Sequence, residues 1–435
     1  MNARTAIKAF FSLYNLGWSA AIPLMKRNTR ISDGFNQRTV RGSVPAKAHI
    51  WIHSASAGES YLSWEILKQL EFEEPVGILV SANTRQGLDI LEKAAEEING
   101  KHGSVHVRVS FSPFDKPDLM DRAVKHIDPW LMVLVELEIW PGLLMALKNK
   151  KRPVLIVNGR LTEKSLNRYL MFSSLWKHLA PENICAMSDD DAARFKILFP
   201  ESHVATVSNM KFDRVPLCSD TPSEDNGKNP LTPLIEPGKP VIVMGSVREE
   251  EEQEVFDIIR KIKNDLPQAR IFVFPRHMHR LEAWSVRLPA ISEDWALRSA
   301  VKGSGPSLIL WDTFGELTHA YRIADAAFVG GSLAPLGGQN FLEALACGVI
   351  PVTGPSWDNF YWVGQGIVDK GLLDIGQSWN SVAEKLIRHA LNPLPRSQVK
   401  TMTDDYLRPF RGGTRIICAE IKRLFLSHSN REKTP

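Results

Sequence analysis

Cysteine is scarce in this chain. Four occur in 435 residues, Cys185, Cys218, Cys347 and Cys418, and they are widely scattered. No C-x-x-C pair exists, so neither a zinc site nor a disulfide framework is signalled, and a reducing compartment is expected. A long hydrophobic run is also missing. The best stretch, Ala9–Met25 (AFFSLYNLGWSAAIPLM), carries no charge but contains Ser12, Asn15, Ser19 and Pro23. It sits at the lower limit for spanning a bilayer. No clear A-x-A site follows it, which weakens the case for a cleavable signal peptide. Excess charge of one sign is absent as well. The net charge of +4 is far from the concentrated basic stripe of a nucleic-acid binder, so no nucleic-acid partner is expected. Short-period repeats and coiled-coil heptads are lacking.

What the chain has is α/β alternation at two-domain length. Unbroken apolar runs stand at Gly77–Val80, Leu131–Val135, Val154–Val157, Val241–Met244, Ile271–Phe274 and Ala326–Val329. Continuous runs, rather than alternating ones, suit strands covered on both faces. Helical patterns lie between them. In EEQEVFDIIRKI, Val255, Ile258, Ile259 and Ile262 follow one face. Doubly wound parallel sheets are therefore expected. The Pro-, Ser- and Asn-rich stretch 215–240 reads as a linker between two halves, and Thr414–Leu426 as a late helix with a frayed tail beyond it. The cations after Ala9–Met25 (Lys26, Arg27, Arg30, Arg38, Arg41) suit a segment at an anionic membrane interface, with a buried first helix as the alternative.

The candidate chemistry gathers where strands give way to helices. In GGSLAPLGGQNFLEA (Gly330–Ala344), a strand opens into a glycine loop that feeds a helix. Glycine lets backbone approach a ligand, and a helix start favours an anion, while Glu343 is placed to accept from ribose hydroxyls. An ordinary glycine turn is the alternative. Glu59, in WIHSASAGES, reads as a loop carboxylate after the first strand. It is either a general base or a capping acid. Glu136 and Glu138 follow LMVLV, and share a face if that strand continues. Arg160, Lys211, Arg276, His277 and His279 follow strands and suit an anion. Ser188–Asp191 (SDDD) reads as a helix cap rather than a metal site, and Glu249–Glu252 as acids at a helix start.

Taken in order, SASAGES, ELEIWPG, NGRLTEKSLNRY, NMKFDR, FPRH, DTFGEL, ADAAFVGGS and GGQNFLEA resemble the 3-deoxy-D-manno-octulosonic acid (Kdo) transferases of Gram-negative bacteria, over about residues 48–360. The resemblance implies a GT-B fold, with two Rossmann-like doubly wound domains facing a cleft and a C-terminal helix crossing back. It implies a membrane-associating segment at 1–30, an acceptor-binding domain at 31–214, a linker at 215–240, a CMP-sugar-binding domain at 241–408, and the crossing helix and tail at 409–435. The implied reaction is inverting transfer of Kdo from CMP-Kdo to a lipid A precursor, without metal or other cofactor, at the cytoplasmic face of the inner membrane. By motif, Glu59 resembles the catalytic base and Glu138 the second active-site acid. Ser332, Asn340 and Glu343 resemble the CMP-sugar pocket, and Lys211, Arg276 and His277 the donor's anion contacts. Gln339 stands where the family usually has His, and Ala344 where it has Pro. Val247-Arg248 replaces its Thr-His or similar pair. The alternatives are a GT-B enzyme using a UDP-sugar and a non-catalytic, membrane-associated sugar-binding relative.

Overall fold

A computed structural model describes residues 3–41, 47–101, 103–215 and 229–433. Most of the expected linker, residues 216–228 with Cys218, lies outside the described residues, as do the side chain of Arg30 and the end of the tail. The chain divides into two compact units, one of Met1–Arg214 with Phe410–Pro435, the other of Val215–Pro409.

The first unit is built on a seven-stranded parallel sheet. Its strands are β1 (Ile50–Ser54), β2 (Val76–Ala82), β3 (Val105–Phe111), β4 (Leu131–Val135), β5 (Val154–Gly159), β6 (Asn183–Ala186) and β7 (His203–Thr206), in the order β3-β2-β1-β4-β5-β6-β7. The apolar runs read from the sequence become the central strands, buried from end to end in β1, β4 and β5. β3 lies at the edge and alternates, with His106 and Arg108 turned outward. Both faces of the sheet carry a core of helix and strand side chains.

The last helix, Gly413–Lys433, belongs to this same unit. It runs past Leu426 instead of fraying there. Asp213 fixes its start by accepting from Gly412 N–H at 2.6 Å and Thr414 N–H at 2.7 Å. Ile417, Ile421, Leu424 and Phe425 then bury against the sheet. Each such side chain contributes on the order of 1.5–3 kcal/mol. That is ample to hold a returning helix in place.

The first helix, Ala3–Met25, lies on the unit by one face. Ile7, Phe10 and Phe11 pack against its core, and Trp18 meets Phe114. Leu13, Leu16 and Leu24 stay exposed. Among the described residues, no helix is long and apolar enough to cross a membrane.

The second unit repeats the plan. Its strands are β8 (Val241–Val247), β9 (Arg270–Pro275), β10 (Trp295–Leu297), β11 (Leu308–Leu310), β12 (Ala326–Val329), β13 (Pro351–Thr353) and β14 (Asp374–Ile375), in the order β10-β11-β9-β8-β12-β13-β14, all parallel. A topological switch point lies between β1 and β4 in the first sheet and between β8 and β12 in the second. Ligands of doubly wound sheets bind at the carboxyl ends of strands around that point.

Candidate active site

The acids of the first unit cluster at its switch point. Glu59 follows β1, but not in a loop. It stands in the first turn of the helix Ala57–Gln69. Ser56 caps that helix, and the Glu59 carboxylate folds back to accept from Ala55 N–H at 2.7 Å and Ser56 Oγ at 2.8 Å. The side chain thus acts as a capping acid, placed at the carboxyl end of β1. Burial leaves Glu59 9% exposed and pushes its carboxyl up to about 6. The negative charges of Glu138 and Glu136 add to that rise, and the two hydrogen bonds oppose it.

Glu136 and Glu138 do not continue β4, which ends at Val135. Glu136 instead turns into the left-handed region at φ +59°. It pairs with Lys211 Nζ at 2.8 Å. Glu138 accepts from Trp140 Nε1 at 2.6 Å and lies 3.7 Å from His53 Nε2. Lys211 reaches this group because Asn158 Oδ1 accepts from Met210 N–H at 2.9 Å and Asn209 Oδ1 from Lys211 N–H at 3.0 Å. Asn158 also has positive φ, at a register shift late in β5. Two strained non-glycine residues at neighbouring strand ends mark a place where geometry is held against local preference.

In the second unit the glycine loop behaves differently from its sequence reading. Its amides are already occupied by a carboxylate of the same chain. Glu251, fully buried, accepts from Arg248 and Gly331 N–H through one oxygen. Through the other it accepts from Ser332 and Leu333 N–H, both at 3.1 Å. Burial raises its proton affinity against these four donors. Gly331 supplies the positive φ (+68°) that curls the loop around it. No spacing in the sequence singles out Glu251 from its three acidic neighbours; they too do more than neutralise a helix start. Glu252 and Glu249 grip Arg280, at 2.8 and 2.9 Å.

Ser332 is held inside the fold of its loop. It is completely buried, donating to Val329 O at 2.7 Å and accepting from Gly354 N–H at 2.8 Å. Its hydroxyl ties the loop to β12 and to the turn after β13. Asn340 and Glu343 are exposed, with Asn340 Nδ2 donating to Glu343 Oε1 at 2.8 Å. Glu343 is the second residue of the helix Leu342–Ala346, not one turn in. Arg276 and His277 follow β9, exposed, and the His277 ring stacks on His279 at 5.4 Å. Lys211 thus joins the acids of the first unit, while Arg276, His277, Asn340 and Glu343 belong to the second. The SDDD acids form a cap: Ser188 accepts from Asp191 N–H, and Asp191 accepts from Leu161 N–H at 2.8 Å. Among the described residues, no group of three or more His, Cys, Asp or Glu is arranged to hold a metal.

Two doubly wound parallel-sheet units make up a GT-B fold. A UDP-GlcNAc 2-epimerase from Neisseria meningitidis matches with a TM-score of 0.54 over 87% of this chain and 99% of that one, at 11% identity, which is a likeness of fold alone. A family model described as 3-Deoxy-D-manno-octulosonic-acid transferase (kdotransferase) matches residues 24–214. The chain is 30% identical to a 3-deoxy-D-manno-octulosonic acid transferase of Bordetella pertussis over 335 residues, covering 75% of this chain and 76% of the relative. To the corresponding transferase of Haemophilus influenzae it is 28% identical over 356 residues, 80% and 79% of the two chains. The chain belongs to the 3-deoxy-D-manno-octulosonic acid transferase family.

Proposed function

We propose that this protein transfers Kdo from CMP-Kdo to a lipid A precursor by inverting displacement, with Glu59 as general base. The carrying observation is the Glu59 carboxyl, held up to about 6 by burial beside two further acids at the switch point of the first sheet. A base poised near neutrality takes a proton from a sugar hydroxyl more readily than an ordinary carboxylate does. Glu138 keeps that proton affinity high and offers the incoming hydroxyl a second acceptor. Lys211 compensates Glu136 and fixes the loop around it.

In the second unit, Arg276 and His277 are the groups we assign to the cytidylate phosphate, and Asn340 with Glu343 to the ribose. Ser332 and Glu251 shape the glycine loop instead of touching the donor. A leaving nucleoside monophosphate met by cations needs no metal in this reading. The exposed Leu13, Leu16 and Leu24, followed by Lys26 and Arg27, suit contact with an anionic membrane surface, which we assign to the cytoplasmic face of the inner membrane.

The test is incubation with CMP-Kdo and a tetraacylated lipid A precursor, followed by mass spectrometry of the lipid. A mass gain of one or more Kdo units is expected, unchanged by EDTA and inhibited by CMP but not by UDP. Inhibition by UDP alone would point to a UDP-sugar donor. Donor binding without any mass gain would point to a non-catalytic relative.

A further inference from the structure

One buried carboxylate beside the site takes no part in the chemistry above. Asp115, 4% exposed, lies just beyond β3. Its Oδ1 accepts from Leu143 N–H at 2.7 Å, and its Oδ2 accepts from Gly142 N–H at 2.8 Å and from the Tyr14 hydroxyl at 2.9 Å. The two amides open the helix Pro141–Asn149. That helix has no side-chain cap of its own, and its first residue is a proline with no N–H to offer. Asp115 is therefore what satisfies its start. The fit leaves no slack: a Cβ added at Gly142 would lie 2.5 Å from the Asp115 carbonyl oxygen.

The acidic loop runs directly into this helix. At its upstream end, Glu136 N–H donates to Val157 O at 2.9 Å. At its downstream end, Asp115 holds Gly142 and Leu143. Glu138 hangs between these two anchors. The third donor, Tyr14, comes from the first helix, Ala3–Met25, where its ring stacks on Phe10 and meets Trp18 edge-on.

We propose that Asp115 is a positioning residue for Glu138, and that through Tyr14 the docking of the first helix sets the geometry of the acidic loop. The helix would then be part of the support of the active site as well as a surface. The inference rests on the reading of Glu138 as an active-site acid. Its pH signature follows from the surroundings of Asp115. Burial pushes the carboxyl up to about 6, while the two amides, Tyr14 and His53 of β1 pull it down. Lys116 and Asp118, just beyond, pair with each other at 2.7 Å. Removing the Tyr14 hydroxyl removes a donor that favours the carboxylate, so protonation then reaches to higher pH.

The test compares full-length wild type, Tyr14→Phe and Asp115→Asn in two assays. The first is amide hydrogen exchange across residues 136–147. Exchange about threefold or more faster in Tyr14→Phe is expected, and faster still in Asp115→Asn. The second is the rate of Kdo transfer between pH 5.5 and 8.5. In Tyr14→Phe, kcat near pH 6.5 should fall about three- to tenfold, both KM values should stay within about twofold, and the acid limb should move to higher pH. Unchanged exchange in both variants overturns the inference. So does a Tyr14→Phe enzyme that melts lower but keeps the wild-type kcat and pH profile, or one that changes only in KM. If wild type transfers no Kdo, the proposed function falls, and the exchange result alone decides this inference.

Discussion

Replacing Glu59 with Gln should stabilise the protein while destroying its activity. The carboxyl titrates near 6 in the folded chain against an ordinary value of 4.5. A raised folded-state value means that the folded state holds the proton more tightly than the unfolded one. The group's contribution is thus fully present below about pH 4.5, is lost as pH rises to about 6, and leaves a constant penalty above that. A difference of about 1.5 units corresponds to about 2 kcal/mol. Glutamine is neutral, and its amide fits the same partners: its oxygen can accept from Ala55 N–H, and its NH2 can donate to Ser56 Oγ. At pH 7.5, Glu59→Gln should therefore gain about 1–2 kcal/mol, and the transition of the first unit should rise by roughly 2–8 °C. The gain should fade as pH falls toward 4.5. Over the same change, transfer should drop by about 10²–10⁴, the range for loss of a general base, with CMP-Kdo binding nearly intact. Thermal unfolding at several pH values and initial-rate assays read both effects. A variant that melts below wild type at pH 7.5 would refute the electrostatic argument, and one that keeps more than about a tenth of the turnover would refute Glu59 as base.

Glu251→Gln should act in the opposite sense. An amide NH2 would face two backbone N–H groups of the glycine loop, for a loss of about 2–4 kcal/mol, read as a lower urea midpoint for the second unit; a change under about 1 kcal/mol would show that the loop does not depend on this carboxylate. Gly142→Ala forces a Cβ against the Asp115 backbone and should lose about 1–3 kcal/mol, with kcat falling more than KM. Wild-type melting and kcat in that variant would show that the contact yields without disturbing the loop.

The fold was legible because its signal is continuous. Runs such as Leu131–Val135 and Val154–Val157 are apolar without interruption, and that happens where helices cover both faces of a sheet. The strands that escaped are short or lie toward an edge, and β6, buried throughout, has only the four residues NICA. β3 alternates because it lies at an edge, with His106 and Arg108 outward. β7 is largely exposed, and β10, β11, β13 and β14 have only two or three residues each. Too few side chains remain in such strands for a period to show.

The site was legible in its positions and much less so in its partnerships. Placing Glu59, Glu136, Glu138 and Arg276 after strands needed only the strand ends, which the apolar runs mark. Which charge answers which needed contacts between residues far apart in sequence. As a cation after a strand Lys211 reads as a phosphate contact, yet it meets Glu136 across the carboxyl ends of the sheet. Glu251 looked like one of four interchangeable helix-start acids, yet it fills the glycine loop some 80 residues on. That exchange follows from one physical rule. Backbone amides pointing into a curled loop are an anion site whatever the anion is, and a buried carboxylate from the same chain satisfies them as a ligand would. A glycine-rich loop in a sequence therefore announces an anion hole, and only its surroundings determine whether the fold itself has already filled it.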